Sequence, residues 1–251
     1  MDDLVFHMDP AKATLVTVGG KGANLTELVR AGFPVPGGFL ISTSAYLAFV
    51  HANDLQEKIV TLATSGAGTD FQDVSVAIRQ LFEHESMPSE VATAIQQAYA
   101  ALYPKGKAPT PLAVRSSATA EDLPGASFAG QQETFLNVTG EQDVLQAVKR
   151  CWSSLWTPRA LAYRSRRKID PATVSLAVVA QVMVPASAAG VLFTANPLTG
   201  TRDEIAIDAA WGLGEAVVSG LVTPDHIIAD KATGTITNQF VSSWTSISFS
   251  G

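Results

Sequence analysis

Apolar positions recur at helical spacing early in the chain. In GANLTELVR, Leu25, Leu28 and Val29 share one face, which predicts a helix from Gly22 to Arg30 entered at Gly19-Gly20-Lys21-Gly22 and closed by Gly32 as a C-cap. PVPGGFLIST follows as an extended segment, because Pro34 and Pro36 disfavour helix in the residues before them. Thr43 or Ser44 then caps a helix through Tyr46, Leu47 and Val50, and further helical patterns cover 55–63, 71–82 and 89–102. The chain up to residue 103 therefore reads as mostly helical.

The pattern changes after PKGKAPTP, residues 104–111, whose prolines and glycine mark a subdomain boundary. Strands are predicted near 112–115, 132–138, 174–184, 190–194, 204–208, 226–230 and 235–241, with helices over 141–155 and 158–168. The expected fold class is α+β, a mixed α/β chain with a helical part over 1–108 and a sheet-rich part over 109–251. No internal repeat or low-complexity tract breaks this division.

Composition narrows the classes. The 251 residues, 47% hydrophobic and 16% charged, can bury a sizeable core. A net charge of -6 excludes nucleic-acid binding through a general basic field. Arg164, Arg166, Arg167 and Lys168 form one basic cluster, read as a solvated helix end where cations suit the dipole. The single cysteine, Cys151, excludes an intrachain disulfide and reads as a core thiol beside Val148, Trp152 and Leu155. No run of about eighteen apolar residues and no signal-peptide pattern occurs, so the expectation is a cytoplasmic protein without a membrane role.

Four stretches carry candidate chemistry. GGKGANL joins glycines, Lys21 and a helix start, the parts that bind phosphate, although the spacing is not that of a Walker loop and an ordinary helix entry has the same look. LAVRSSATAEDLPGASFAGQQETFLNV places Arg115 at the end of a short strand, with a guanidinium suited to bidentate phosphate contact. In the loop after it, Ser116, Ser117, Thr119, Gly125, Ser127 and Gly130 are able to bring hydroxyls or bare backbone near an anion, and Glu121 and Asp122 to approach a metal; a surface excursion with an Arg–Glu pair is the plainer reading. The strand ending at Pro185 carries Gln181, whose buried amide needs partners, and its last N–H and C=O groups suit an adenine edge. WGLGEAVVSGLV sets Glu215 among Gly212, Gly214 and Gly220, which also fits a favourable charge at a helix start.

Together with CWSSLWTPRALAYR, QVMVP and GVLFTANP, these motifs resemble, over residues 16–243, the N-terminal ATP-binding domain shared by phosphoenolpyruvate synthase (pyruvate, water dikinase), pyruvate phosphate dikinase and rifampin phosphotransferase. The resemblance implies an ATP-grasp-like fold with ATP held between two lobes. It implies that Lys21 and Arg115 engage the triphosphate, that Gly130 and Thr134 belong to the loop covering it, and that Gln181, Met183 and Val184 form the adenine hinge. Glu215 would help with ribose or loop geometry. ATP and Mg2+ are the implied cofactors, with the metal ligands unassigned.

Members of that family continue into further nucleotide-domain strands, a swivelling domain bearing a phosphohistidine, and an acceptor domain. None of His7, His51, His84 and His226 lies in a phosphohistidine-like sequence, and His226 reads as a structural or surface residue. The expectation is a truncated chain or one piece of a split enzyme, inactive alone, whose partners are those histidine-bearing and acceptor domains. In the whole enzyme ATP would yield AMP and phosphate while a histidine is phosphorylated, with pyruvate or a rifamycin as acceptor; a non-catalytic nucleotide-binding module is the alternative.

Overall fold

The computed structural model describes residues 3–8, 13–65, 70–103, 109–119 and 133–242. Its elements run β1 (Val5–His7), α1 (Leu15–Arg30), β2 (Gly38–Ile41), α2 (Thr43–Ala52), α3 (Leu55–Ser65), α4 (Gln72–His84) and α5 (Ser89–Ala101). They continue with β3 (Leu112–Ala118), β4 (Thr134–Val138), α6 (Glu141–Ser153), α7 (Pro158–Arg167), β5 (Leu176–Val182) and β6 (Ala188–Phe193). The last are β7 (Glu204–Trp211), α8 (Glu215–Val218), β8 (Asp225–Asp230) and β9 (Ile236–Phe240). No helix among the described residues is long and apolar enough to cross a membrane.

Two sheets form, one of five strands in the order β1-β2-β5-β3-β4 and one of four in the order β6-β7-β8-β9. Every pairing among the described residues is antiparallel, so the fold is α+β as expected. The chain divides into compact units between Met183 and Val184. The boundary expected at 108 falls inside the first unit, because helices before it and strands after it share one core: Phe49, Phe82 and Ile95 pack in the same cluster as Leu112, Val114 and Val178. Within that cluster the Phe49 ring lies 5.3 Å from Trp152 and 5.6 Å from Phe82.

In the first unit the strand period of two sorts side chains between the faces of the five-stranded sheet. Phe39, Ile41, Leu112, Val114, Val178 and Ala180 join the main core, whereas Leu40 and Val179 turn the other way into a smaller cluster with Phe6 and with Val18 of α1. β5 is thus apolar over both faces, which explains its unbroken run LAVVA. The helices obey local rules with small shifts. Gly32, at φ 81, follows the C-cap Ala31, and the bonds Phe33 N–H to Leu28 O and Gly32 N–H to Val29 O make a Schellman end. The cap of α2 is Ser42, not Thr43 or Ser44 as expected, since its hydroxyl accepts from Ala45 N–H.

The basic cluster is corrected at one position. Arg166, Arg167 and Lys168 are exposed, but Arg164 is buried, with its guanidinium over the Trp156 ring at 4.8 Å and a hydrogen bond to Leu155 O. Burial lowers its ionisation to about 10, which leaves it charged at neutral pH. Cys151 is buried, and burial pushes its thiol well above the ordinary range, as an inert core thiol requires.

Candidate functional site

α1 is two helical pieces meeting at Gly19, whose φ of 69 and ψ of 176 lie outside the helical region. The first piece begins at Thr14, which forms a capping box with Thr17, and it was not foreseen from the sequence. The second restarts through Gly20, Lys21 and Gly22. Between them sits the Ser117 side chain, fully buried on β3. Its Oγ donates to Val18 O at 2.7 Å and accepts from Gly22 N–H at 3.2 Å. The contact is close enough that a Cβ on Gly19 would meet Ser117 O at 2.2 Å. The GGKG turn is thereby tied to β3.

β3 continues to Ala118, so Arg115 lies at mid-strand and not at the strand end expected for it. Ser116 and Ser117 keep the ladder going opposite Val178 and Ala177 of β5. Arg115 pairs with Val179 on one side and Thr134 of β4 on the other. Cross-strand partners share a face, and both Arg115 and Thr134 are exposed. Ser117 is two residues further on and on the same face, about 7 Å along the strand. One sheet face therefore gathers Arg115, Thr134 and the turn carrying Lys21. The serines after Arg115 do not reach outward as expected: Ser117 is committed to α1, and Ser116 Oγ donates to Glu133 O at 3.5 Å.

The adenine-hinge candidates occupy the opposite end of β5. Gln181 pairs with Gly38 and Ala113, and its Nε2 donates to Pro36 O at 3.3 Å, the backbone partner that a part-buried amide needs. Met183 N–H donates to Pro111 O at 2.9 Å, and its Sδ accepts from Asn137 N–H at 3.1 Å. Val184 is 55% exposed, and its carbonyl accepts from Ala186 N–H at 2.8 Å. The N–H of Met183 is thus used across the sheet by the residue before β3, and the C=O of Val184 by a local turn, where the sequence reading expected exposed strand-end groups. Glu215 is exposed at the first turn of the four-residue α8, in the second compact unit. His226, read as structural, bonds through Nδ1 to Asp208 Oδ1 at 2.6 Å across the β7–β8 ladder. Gly130, Glu121, Asp122, Gly125 and Ser127 lie outside the described residues.

Two further contacts, on the face of β4 opposite to Thr134, were missed in the sequence. Arg79 of α4 pairs with Glu133 at 2.9 Å, and Arg150 of α6 lies over the Phe135 ring at 4.3 Å. No sequence signal marks either, since the partners are 54 residues apart in the first case and sit on separate elements, α6 and β4, in the second. Among the described residues no three His, Cys, Asp or Glu side chains gather as a metal cage, so magnesium is assigned no protein ligand. The donor set, a lysine and an arginine beside glycine-rich main chain, fits a polyphosphate.

Residues 15–247 match the family described as pyruvate phosphate dikinase, AMP/ATP-binding domain. The chain is 45% identical to the probable phosphoenolpyruvate synthase of Pyrococcus abyssi, over 92% of this chain and 32% of that protein. It is 44% identical to the phosphoenolpyruvate synthase of Pyrococcus furiosus, over 92% and 33%, and 46% identical to that of Aeropyrum pernix, over 91% and 29%. It spans about a third of the length of these relatives. This chain belongs to the family of pyruvate phosphate dikinase AMP/ATP-binding domains.

Proposed function

We propose that this chain is the nucleotide-binding part of a dikinase-type phosphotransferase, in which ATP, water and a histidine on another domain yield AMP, inorganic phosphate and phosphohistidine, with pyruvate as the acceptor that the histidine then loads. The observation that carries this reading is the single sheet face on which Ser117 holds the Lys21 turn beside Arg115 and Thr134. The relatives' names, all phosphoenolpyruvate synthases, support pyruvate over other acceptors.

In this reading Lys21 and Arg115 offset charge on the phosphates, which is most of what a protein contributes to phosphoryl transfer. Thr134, opposite Arg115, offers a hydroxyl to the same group. Gln181 and Met183, with Val184 next in sequence, flank adenine at the other end of β5, and a part for Glu215 in ribose or loop geometry rests on the family resemblance alone. Magnesium arriving with ATP would neutralise further phosphate charge. The partners are a histidine-bearing domain and an acceptor domain of the kind that the relatives' greater length accommodates.

The test is phosphoryl transfer from ATP labelled in its β-phosphate to a separately supplied histidine domain of a relative, together with ATP titration of the chain. Label appearing on the histidine only when this chain is present is expected. Binding without transfer would leave a nucleotide-binding module, and absence of both would remove the reading.

A further inference from the structure

We propose that Ser117 is a positioning residue, which holds open the break at Gly19 and thereby sets the start of the helix that presents Lys21. The proposal rests on the nucleotide reading of this face. Its basis is where the hydroxyl sits. In an unbroken helix Gly22 N–H would donate to Val18 O, four residues back. At Gly19 the helix breaks, and the Ser117 Oγ occupies that one opened bond, accepting from Gly22 N–H at 3.2 Å and donating to Val18 O at 2.7 Å. A side chain inserted into the helical ladder is a recognised cause of a kink. Here it comes from a strand 95 residues away, so the kink is a tertiary device and no property of the glycines alone.

Steric evidence agrees. Gly19 takes φ 69, and any Cβ there would overlap Ser117 O at 2.2 Å and Ser117 Oγ at 2.5 Å, so α1 and β3 touch at a point where only glycine fits. Ser117 is fully buried, and both of its hydrogen-bonding capacities go to α1 main chain. Without the hydroxyl, the turn has two courses. Either the direct Val18 to Gly22 bond closes and Lys21 rotates with the straightened helix, or two buried main-chain groups stay unpaired, which is costly. Both move Lys21 off its present line relative to Arg115.

The test uses this chain and the variant Ser117→Ala. ATP and inorganic tripolyphosphate are expected to bind Ser117→Ala about tenfold more weakly than the parent, the scale of one lost hydrogen-bonded contact, while adenosine binds equally. Lys21→Ala is expected to lose affinity too, and Ser117→Ala in the Lys21→Ala background to lose little more, because coupled residues are non-additive. Phe82→Leu, in the core, serves as the control that lowers stability and leaves ATP affinity unchanged. In the ligand-free parent, hydrogen exchange should find the Gly22 amide protected, a reading that stands even where Ser117→Ala fails to fold.

Unchanged ATP affinity in Ser117→Ala, full additivity with Lys21→Ala, or a Gly22 amide exchanging like an open loop would each overturn the positioning role. A parent chain that binds neither ATP nor tripolyphosphate would instead overturn the nucleotide reading beneath it, and the role with it.

Discussion

Arg79, on α4, and Glu133, the residue before β4, form an ion pair at 2.9 Å in which the side chains are only 33% and 29% exposed. Glu133 also accepts from Ser116 N–H through its carbonyl, so the pair pins the foot of β4 to both a helix and β3. Fully exposed pairs are worth well under about 1 kcal/mol, while breaking a buried one costs about 3–5 kcal/mol. A part-buried pair falls between them. A double-mutant cycle of Arg79→Ala and Glu133→Gln, read by denaturant unfolding, should give a coupling of about 1 kcal/mol. Additive effects would show that the pair contributes nothing.

Lys21→Ala and Arg115→Ala should each weaken ATP binding far more at low than at high ionic strength. The Debye length falls from about 30 Å at 0.01 M salt to about 3 Å at 1 M, so a charge contact on an exposed face is screened away. Arg115 is exposed and Lys21 half-buried, so the Arg115 deficit should shrink further across the titration. Titration calorimetry at several salt concentrations decides this. Parallel salt curves for parent and both mutants would take the two cations out of the site.

Gly19 and Gly32 separate two reasons for a glycine. Both have positive φ, 69 and 81, but a Cβ on Gly32 meets nothing within 4 Å, whereas one on Gly19 lands 2.2 Å from Ser117 O. Gly32→Ala should therefore cost only the left-handed backbone strain, about 1 kcal/mol. Gly19→Ala adds a backbone clash on β3 that no side-chain rotation relieves, and should cost at least about 3 kcal/mol, in the range where only named structural faults fall. Equal losses in thermal or denaturant unfolding would mean that the approach of α1 to β3 is looser than the structure has it.

These contrasts also explain what was legible in the sequence. Leu176 to Ala180 announced a buried strand because five successive apolar residues need cover on two faces, and Gly32 announced a helix end because its role is local. The kink at Gly19 was illegible because its cause lies in Ser117, and the strand run through Ser116 and Ser117 was illegible because ladder partners on β5 override two polar residues. β1 was missed because three residues with one buried side chain carry no usable period. For the proposed site, the sequence offered Lys21 and Arg115, and the family resemblance added Thr134. What ties Lys21 to the strand is Ser117, which the sequence offered only as one of several hydroxyls able to approach an anion or as part of a surface loop.

Alkaline pH should release a small, assignable part of the stability through Tyr103. Its hydroxyl donates to Thr110 O at 2.5 Å, and burial, with Tyr99 beside it, pushes its ionisation from 10.0 to about 12. The neutral phenol is the form the fold prefers. The contribution is therefore complete below about pH 10, where Tyr103 is neutral folded or unfolded, and is lost as pH rises from there through about 12. Because Tyr103 is only half-buried, solvent screening keeps the effect below about 1 kcal/mol. Tyr46, buried and likewise shifted upward, titrates in the parent and in Tyr103→Phe alike, so it cancels when the two are compared. The parent should be the more stable of the two at pH 8, and the difference should shrink steadily between about pH 10 and pH 12 as the Thr110 bond is lost. Unfolding free energies measured across that window check it, and a difference that stays constant with pH would show that Tyr103 ionises no differently in the folded chain than in the unfolded one.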